Sequence, residues 1–241
     1  MSKDVIELYH WVDTRSFRPL WLLEELGIEY KLIRTPIQSQ LLWHDRARKA
    51  LSDRGELKDS NGDVIELMDN HSRSYLNLNP GGTLPTLKYN DHVMWEAGAI
   101  CMYLCDMNPE SGLSPDVSSL YRTEYLKWMF YVTSTMEYPL VDLFLHTKML
   151  PKEKRRQSVV EYSLERYKKI LVIINNSMHG NNPMMAQRPY MIGHEFSVVD
   201  IMVSSTLNWF PELLHDFPHL QSYVNRCIDR PSFQDAIDKN E

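Results

Sequence analysis

The strongest constraint on the fold is a strand–helix–strand order packed into the first 34 residues. Val5 to Tyr9 reads as a short strand, and Trp11 to Ser16 as the turn that follows it. From Phe17 the apolar residues recur at helical spacing, Pro19 suits a first helical turn, and Gly27 is a natural C-terminal stop. Ile28 to Arg34 then alternates as a second strand. So short a crossover makes the two strands parallel neighbours and the connection right-handed.

The next readable elements lie further on. Thr35 to Ser74 is polar and charge-mixed, with Asp59, Ser60, Asn61, Gly62 and Asp63 at its centre; it reads as loop with one short helix around Leu41 to Leu51. Leu84 to Tyr89 and His92 to Trp95 are short runs joined by Asn90 and Asp91, the pattern of a β-hairpin. Glu96 to Met107 follows as a helix with small residues in its first turn. Asn108, Pro109, Gly112 and Pro115 mark a linker, and everything beyond Ser118 has helical periodicity: Tyr121 to Leu145 with an interruption at Pro139, Glu153 to Asn175, Ser197 to Phe210, and Leu220 to Ile228. The economical architecture is an α/β domain with a mixed four-stranded sheet over residues 1–108, carrying an insertion around 38–74, and an all-α domain over 118–241.

Composition narrows the function classes. A chain of 241 residues that is 43% apolar buries a core without staples. Its net charge is −6, and the basic run Lys152, Lys154, Arg155, Arg156 is interleaved with Glu153, which reads as a solvated helix face and not as a nucleic-acid surface. No apolar leader precedes the first strand and no run of about eighteen apolar residues occurs, so a soluble cytoplasmic protein without a membrane span is expected. Cys101, Cys105 and Cys227 are an odd number in a chain this long, which argues against a disulfide framework and for a reducing compartment, and the nine histidines show no metal-ligand spacing.

The chemistry is expected where the first strand meets the first helix. Unpaired backbone N–H groups and the positive dipole end favour an anion there. Thr14 and Ser16 lie at that junction, and a hydroxyl so placed can donate to a thiolate. A free thiol titrates near about 8.5, and each unit of lowering corresponds to about 1.4 kcal/mol in favour of the ionised form. The competing reading makes Asp13, Thr14 or Ser16 a plain N-cap worth about 1 kcal/mol. Pro85 at the start of the third strand cannot supply a ladder donor, which suits an edge, a bulge or a cis bond that would turn the Leu84 backbone toward a ligand. Glu96 opens a helix through Ala97, Gly98 and Ala99, where an anionic group could approach the amides; it serves equally as a favourable first-turn acid.

Three separated segments resemble the glutathione transferase superfamily: Asp13 to Arg18 with Leu20 to Leu26; Asn79 to Leu87 with Trp95 to Ile100; and Gly193 to Asp200. In the last, Ser197 and Asp200 match a structural capping box. The resemblance spans nearly the whole chain. It implies a thioredoxin-like fold with Pro85 as a cis-proline, Leu84 pairing its backbone with the cysteinyl part of glutathione, Glu96 receiving the γ-glutamyl amine, and a homodimer. The activating hydroxyl of the serine-type classes lies four residues before the helix arginine, here Arg18, so the role falls on Thr14, with Ser16 second and Tyr9 third. Glutathione is then a co-substrate, attacking a small hydrophobic electrophile, and no metal is needed. The alternatives are a glutathione-dependent disulfide or peroxide reductase and a non-catalytic binding protein; the absence of cysteine between Tyr9 and Phe17 disfavours thiol transfer through a protein cysteine.

The resemblance also implies a second-substrate pocket between the domains, with Trp11, Asp13, Trp128, Tyr131, Thr135 and Tyr138 as lining candidates, although a Met- and aromatic-rich helix such as Lys127 to Tyr138 is more often plain core. The chain departs from the family at Ala97, where a serine is usual; losing that side-chain bond lowers glutathione affinity by about 1 to 2 kcal/mol. It departs again at Gln38 to Ser74, longer than the family's usual connection and placed to cover the glutathione site or extend the dimer contact.

Overall fold

A computed structural model describes residues 5–37, 70–179 and 188–240. They form two compact units, Met1–Leu104 with Gln234–Glu241, and Cys105–Phe233. The expected short helix around Leu41 to Leu51 and most of the insertion lie outside the described residues.

In the first unit, β1 (Ile6–His10), α1 (Phe17–Leu26) and β2 (Tyr30–Arg34) form the anticipated βαβ segment. Then come α2 (Arg73–Leu78), the hairpin of β3 (Thr86–Tyr89) and β4 (His92–Trp95), and α3 (Ala97–Met107). The sheet has the order β2-β1-β3-β4. β1 runs parallel to β2 and antiparallel to β3, and β3 is antiparallel to β4, which makes the mixed four-stranded sheet of a thioredoxin-like domain. Leu20 to Leu23 of α1, Leu8 of β1, Leu87 of β3 and Ile100 and Leu104 of α3 are all fully or almost fully buried and supply the core. Gly27 ends α1 at φ 63°, a left-handed conformation that side chains rarely adopt, and its N–H returns to the carbonyls of Leu23 and Glu24.

The second unit is helical: α4 (Tyr121–Tyr131), α5 (Glu137–Phe144), α6 (Gln157–His179), α7 (Val198–Leu207) and α8 (Pro218–Ile228). Pro139 does not break its segment, contrary to the reading from sequence. The helix widens instead into π-helical turns at Val132–Met136 and Leu145–Met149. The first of these lies just ahead of Pro139, where a wider turn relieves the clash between the proline ring and the preceding turn's carbonyls. The Ser134 hydroxyl donates to the Phe130 carbonyl at 2.7 Å, a local bond of the kind that loosens an α-helical ladder. At the start of α7, Ser197 and Asp200 form the anticipated capping box. Asp200 is fully buried and accepts from the N–H of Met191 (2.8 Å), the N–H and hydroxyl of Ser197 (2.9 and 2.8 Å) and the hydroxyl of Tyr223 (2.9 Å).

A last helix, α9 (Pro231–Asn240), is absent from the sequence reading. The expected helical domain ran from 118 to the end of the chain, whereas Gln234–Glu241 belong to the first unit. Arg34 at the end of β2 donates to the carbonyls of Lys239 and Asn240, completing part of the helix C-terminus, and Lys239 pairs with Glu24 of α1 at 2.8 Å.

Candidate functional site

The register of the sheet gathers three separated segments at one end. Thr86 is paired with Tyr9 on one side and Trp95 on the other. The turn Trp11 to Ser16 follows Tyr9 by two residues, Leu84 and Pro85 directly precede Thr86, and Glu96 and Ala97 directly follow Trp95. All three therefore leave the sheet from the same row of residues.

The first segment is built around two hydroxyls. Asp13 turns the chain at φ 57°. Thr14 is half-buried and donates to the Trp11 carbonyl at 2.8 Å. Its oxygen also accepts from the N–H of Ser16 at 3.2 Å and lies 2.5 Å from the Ser16 hydroxyl oxygen. Ser16 is completely buried. It occupies the N-cap position of α1 yet makes no capping bond to the helix. Its hydroxyl turns back to accept from the N–H of Trp11 at 3.2 Å and lies 2.7 Å from Nδ1 of His10. The capping explanation thus does not account for Ser16, and the two hydroxyls differ in access: Thr14 stands toward the surface and Ser16 behind it.

His10 was missed in the sequence, where a polar residue closing a strand carries no signal of its own. It is completely buried, and burial, reinforced by the positive charge of Arg34, pushes its pKa down to about 3. Tyr9, the third choice for the activating hydroxyl, is 4% exposed. Its hydroxyl donates to Glu7 at 3.3 Å and its ring meets that of Tyr75 at 5.7 Å.

The second segment is fixed by residues the sequence did not single out. The peptide bond between Leu84 and Pro85 is cis. Tyr75 donates its hydroxyl to the Thr83 carbonyl at 2.6 Å and lies 2.7 Å from the Thr86 hydroxyl, while Asn79 donates to the same two oxygens at 2.9 and 3.0 Å. Asn70 adds a bond to the Gly82 carbonyl at 2.7 Å. The Leu84 side chain is buried with Tyr9, Ile33 and Tyr75, and Trp11 packs against that cluster, which joins the first segment to the second.

The third segment carries backbone strain. Glu96 is exposed and holds φ 76°, a region costly for a residue with a side chain. Its carbonyl accepts from Ile100 at 2.9 Å, and α3 starts at once with the buried Ala97. The first turn of α3 contains no acidic side chain.

The remaining candidates lie in the second unit. Trp128 is 3% exposed and belongs to that unit's core, in edge contact with the half-buried Tyr131 at 5.4 Å. Thr135 is half-buried in the first π-helical turn, and Tyr138 is 62% exposed. Among the described residues no cluster of His, Cys, Asp and Glu is arranged to hold a metal, and no helix is long and apolar enough to cross a membrane.

A family model of the glutathione S-transferase N-terminal domain matches residues 14–107, and one of the C-terminal domain matches residues 136–231. The chain belongs to the glutathione transferase superfamily. Glutathione S-transferase GstB of Escherichia coli K12 is 25% identical over 178 residues, covering 70% of this transferase-family chain and 79% of its own length. The theta class glutathione S-transferase of Xanthomonas axonopodis pv. citri, solved with glutathione bound, is 25% identical and superposes with a TM-score of 0.72 over 97% of both chains. A probable elongation factor 1-gamma of Arabidopsis thaliana is 21% identical over 174 residues, 70% of this chain but 40% of its own length.

Proposed function

We propose that this protein is a glutathione transferase in which the Thr14 hydroxyl holds the thiol of bound glutathione as its thiolate for attack on a small hydrophobic electrophile. The observation that carries the reading is the pair Thr14 and Ser16: the half-buried hydroxyl sits at the start of α1 and is held from behind by a buried one. In this reading the Leu84 backbone beside Pro85 pairs with the cysteinyl part of glutathione. Glu96 receives the γ-glutamyl amine, and the amides from Ala97 onward receive its carboxylate. The electrophile brings its own reactivity, while the protein supplies proximity and the thiolate.

The surroundings fit this role. The three cysteines are buried, with no disulfide between them, as suits a protein of the reducing cytoplasm that uses glutathione and not a protein thiol. The exposed Leu126 and Phe130, four residues apart on α4, form the kind of apolar surface that a homodimer would cover.

A second reading, a non-catalytic binding protein, draws on the likeness to elongation factor 1-gamma and on Ala97. Calorimetric titration with glutathione at two pH values, beside turnover of an epoxide, an aryl halide and a disulfide, separates the two. Binding with proton release and turnover of a carbon electrophile supports the transferase, and disulfide turnover alone moves the reaction to reduction. Binding without turnover favours the binding protein. No binding at millimolar glutathione removes both.

A further inference from the structure

The hydrogens between His10, Ser16 and Thr14 can be counted. The Ser16 and Thr14 oxygens are 2.5 Å apart, so one hydrogen must lie between them. Suppose first that His10 carries its hydrogen on Nε2. Nδ1 is then an acceptor, and the Ser16 hydroxyl, 2.7 Å away, donates to it. The hydrogen between the two oxygens must then come from Thr14, whose hydroxyl is thereby turned inward. Aiming it outward in this state would leave two bare lone pairs face to face.

Suppose instead that the hydrogen is on Nδ1. It then donates to Ser16, whose oxygen also accepts from the Trp11 N–H. The Ser16 hydroxyl has two acceptors left, the Trp11 carbonyl at 3.3 Å and the much nearer Thr14 oxygen, and it donates to Thr14, whose oxygen also accepts from the Ser16 N–H. Both oxygens are then fully supplied, and the Thr14 hydrogen is left for an outward acceptor in place of the Trp11 carbonyl. Of the two arrangements, this one alone lets Thr14 donate to a ligand.

The far side of the ring points to what responds to this choice. Nε2 of His10 and Oδ1 of Asn240 are both buried and lack a hydrogen bond of normal geometry, yet the Asn240 side chain is near enough to His10 to favour its charged form. Turning the carboxamide by half a revolution exchanges its acceptor for its donor, which matches either tautomer. Asn240 is held there because Arg34 binds the end of α9.

We propose that His10 is a positioning residue which, in the glutathione complex, carries its hydrogen on Nδ1 and so aims the Thr14 hydroxyl at the ligand, with the Asn240 carboxamide turned to donate to Nε2. The proposal rests on the reading of Thr14 as the thiol-activating hydroxyl. Burial keeps the ring neutral at physiological pH, so the relay depends on tautomer and not on charge.

The test is nitrogen NMR of the full-length protein with 15N-labelled histidine, saturated with glutathione, alongside titration of the bound thiol. His10 is assigned by the signals lost in His10→Phe. The expected result is a hydrogen on Nδ1 together with a lowered thiol pKa. In His10→Phe the thiol pKa then returns toward its free value, and kcat falls about tenfold or more while KM for glutathione changes less than twofold. A hydrogen on Nε2 in a complex whose thiol is still acidified overturns the relay and leaves Thr14 in place, whereas a thiol with its ordinary pKa overturns both. If His10→Phe does not fold, Asn240→Leu supplies the assignment through the shift of the neighbouring ring, and the tautomer measured in the unmodified protein decides.

Discussion

The Thr14 hydroxyl oxygen lies 2.5 Å from that of Ser16, and only Thr14 has access to the surface. The two residues thus divide one task, since Thr14 can meet a ligand while Ser16 fixes its orientation. Thr14→Val removes the proposed charge-assisted bond to the thiolate and is expected to lower kcat/KM by about 10- to 100-fold with glutathione binding largely retained. Ser16→Ala leaves the Trp11 N–H and His10 Nδ1 unpartnered in the interior. It is expected to cost about 1 to 3 kcal/mol in denaturant unfolding as well as activity. Equal stability of the two variants would contradict this division.

In the proposed site Glu96 opposes stability to function. Its φ of 76° is one that glycine adopts freely, and its side chain is exposed. Glu96→Gly is therefore expected to raise stability, by about 1 kcal/mol, while weakening glutathione binding through loss of the partner for the γ-glutamyl amine. Thermal unfolding and glutathione titration on the same preparation read both signs; a loss of stability would mean that the side chain, and not the backbone, governs this position.

His10 makes stability depend on pH. In the unfolded chain the imidazole takes up a proton near pH 6.5; in the folded protein it does so only near pH 3. The stability this neutral ring contributes is therefore present above pH 6.5 and is lost as pH falls toward 3, up to about 5 kcal/mol in all. The difference in unfolding free energy between the natural protein and His10→Phe should shrink by about 1.4 kcal/mol per pH unit below 6. Parallel pH profiles would contradict this.

Asp200 anchors the second unit. With four donors converging on its buried carboxylate, Asp200→Asn places an amide N–H₂ against N–H and O–H groups. A loss of about 2 to 4 kcal/mol is expected, with glutathione affinity unchanged in whatever fraction remains folded.

Most of the fold was legible because it rests on local signals. The apolar spacing of α1, the stop at Gly27, the hairpin at Asn90 and Asp91 and the Ser197–Asp200 box each declare themselves within a few residues. What could not be read depends on partners distant in sequence. α9 gives a weak local signal, and its end is held by Arg34, about two hundred residues earlier. Pro139 suggested a break because the π-helical turn that accommodates it has no sequence signature. At the candidate site, the place of Thr14 and Ser16 ahead of α1 was legible, but not which one is buried. That follows from His10, whose meaning arises only when β1, β2 and α9 enclose it. Tyr75 and Asn79 were missed for the same reason, since their role lies in the loop they hold.

The role proposed for Thr14 is decided by the pKa of the glutathione thiol in its complex with the protein, followed by thiolate absorbance, for the natural chain and Thr14→Val. In the natural protein the thiol pKa is expected about one to two units below its free value of about 8.5, and in Thr14→Val restored toward that value. A thiol that titrates identically in both complexes would contradict it.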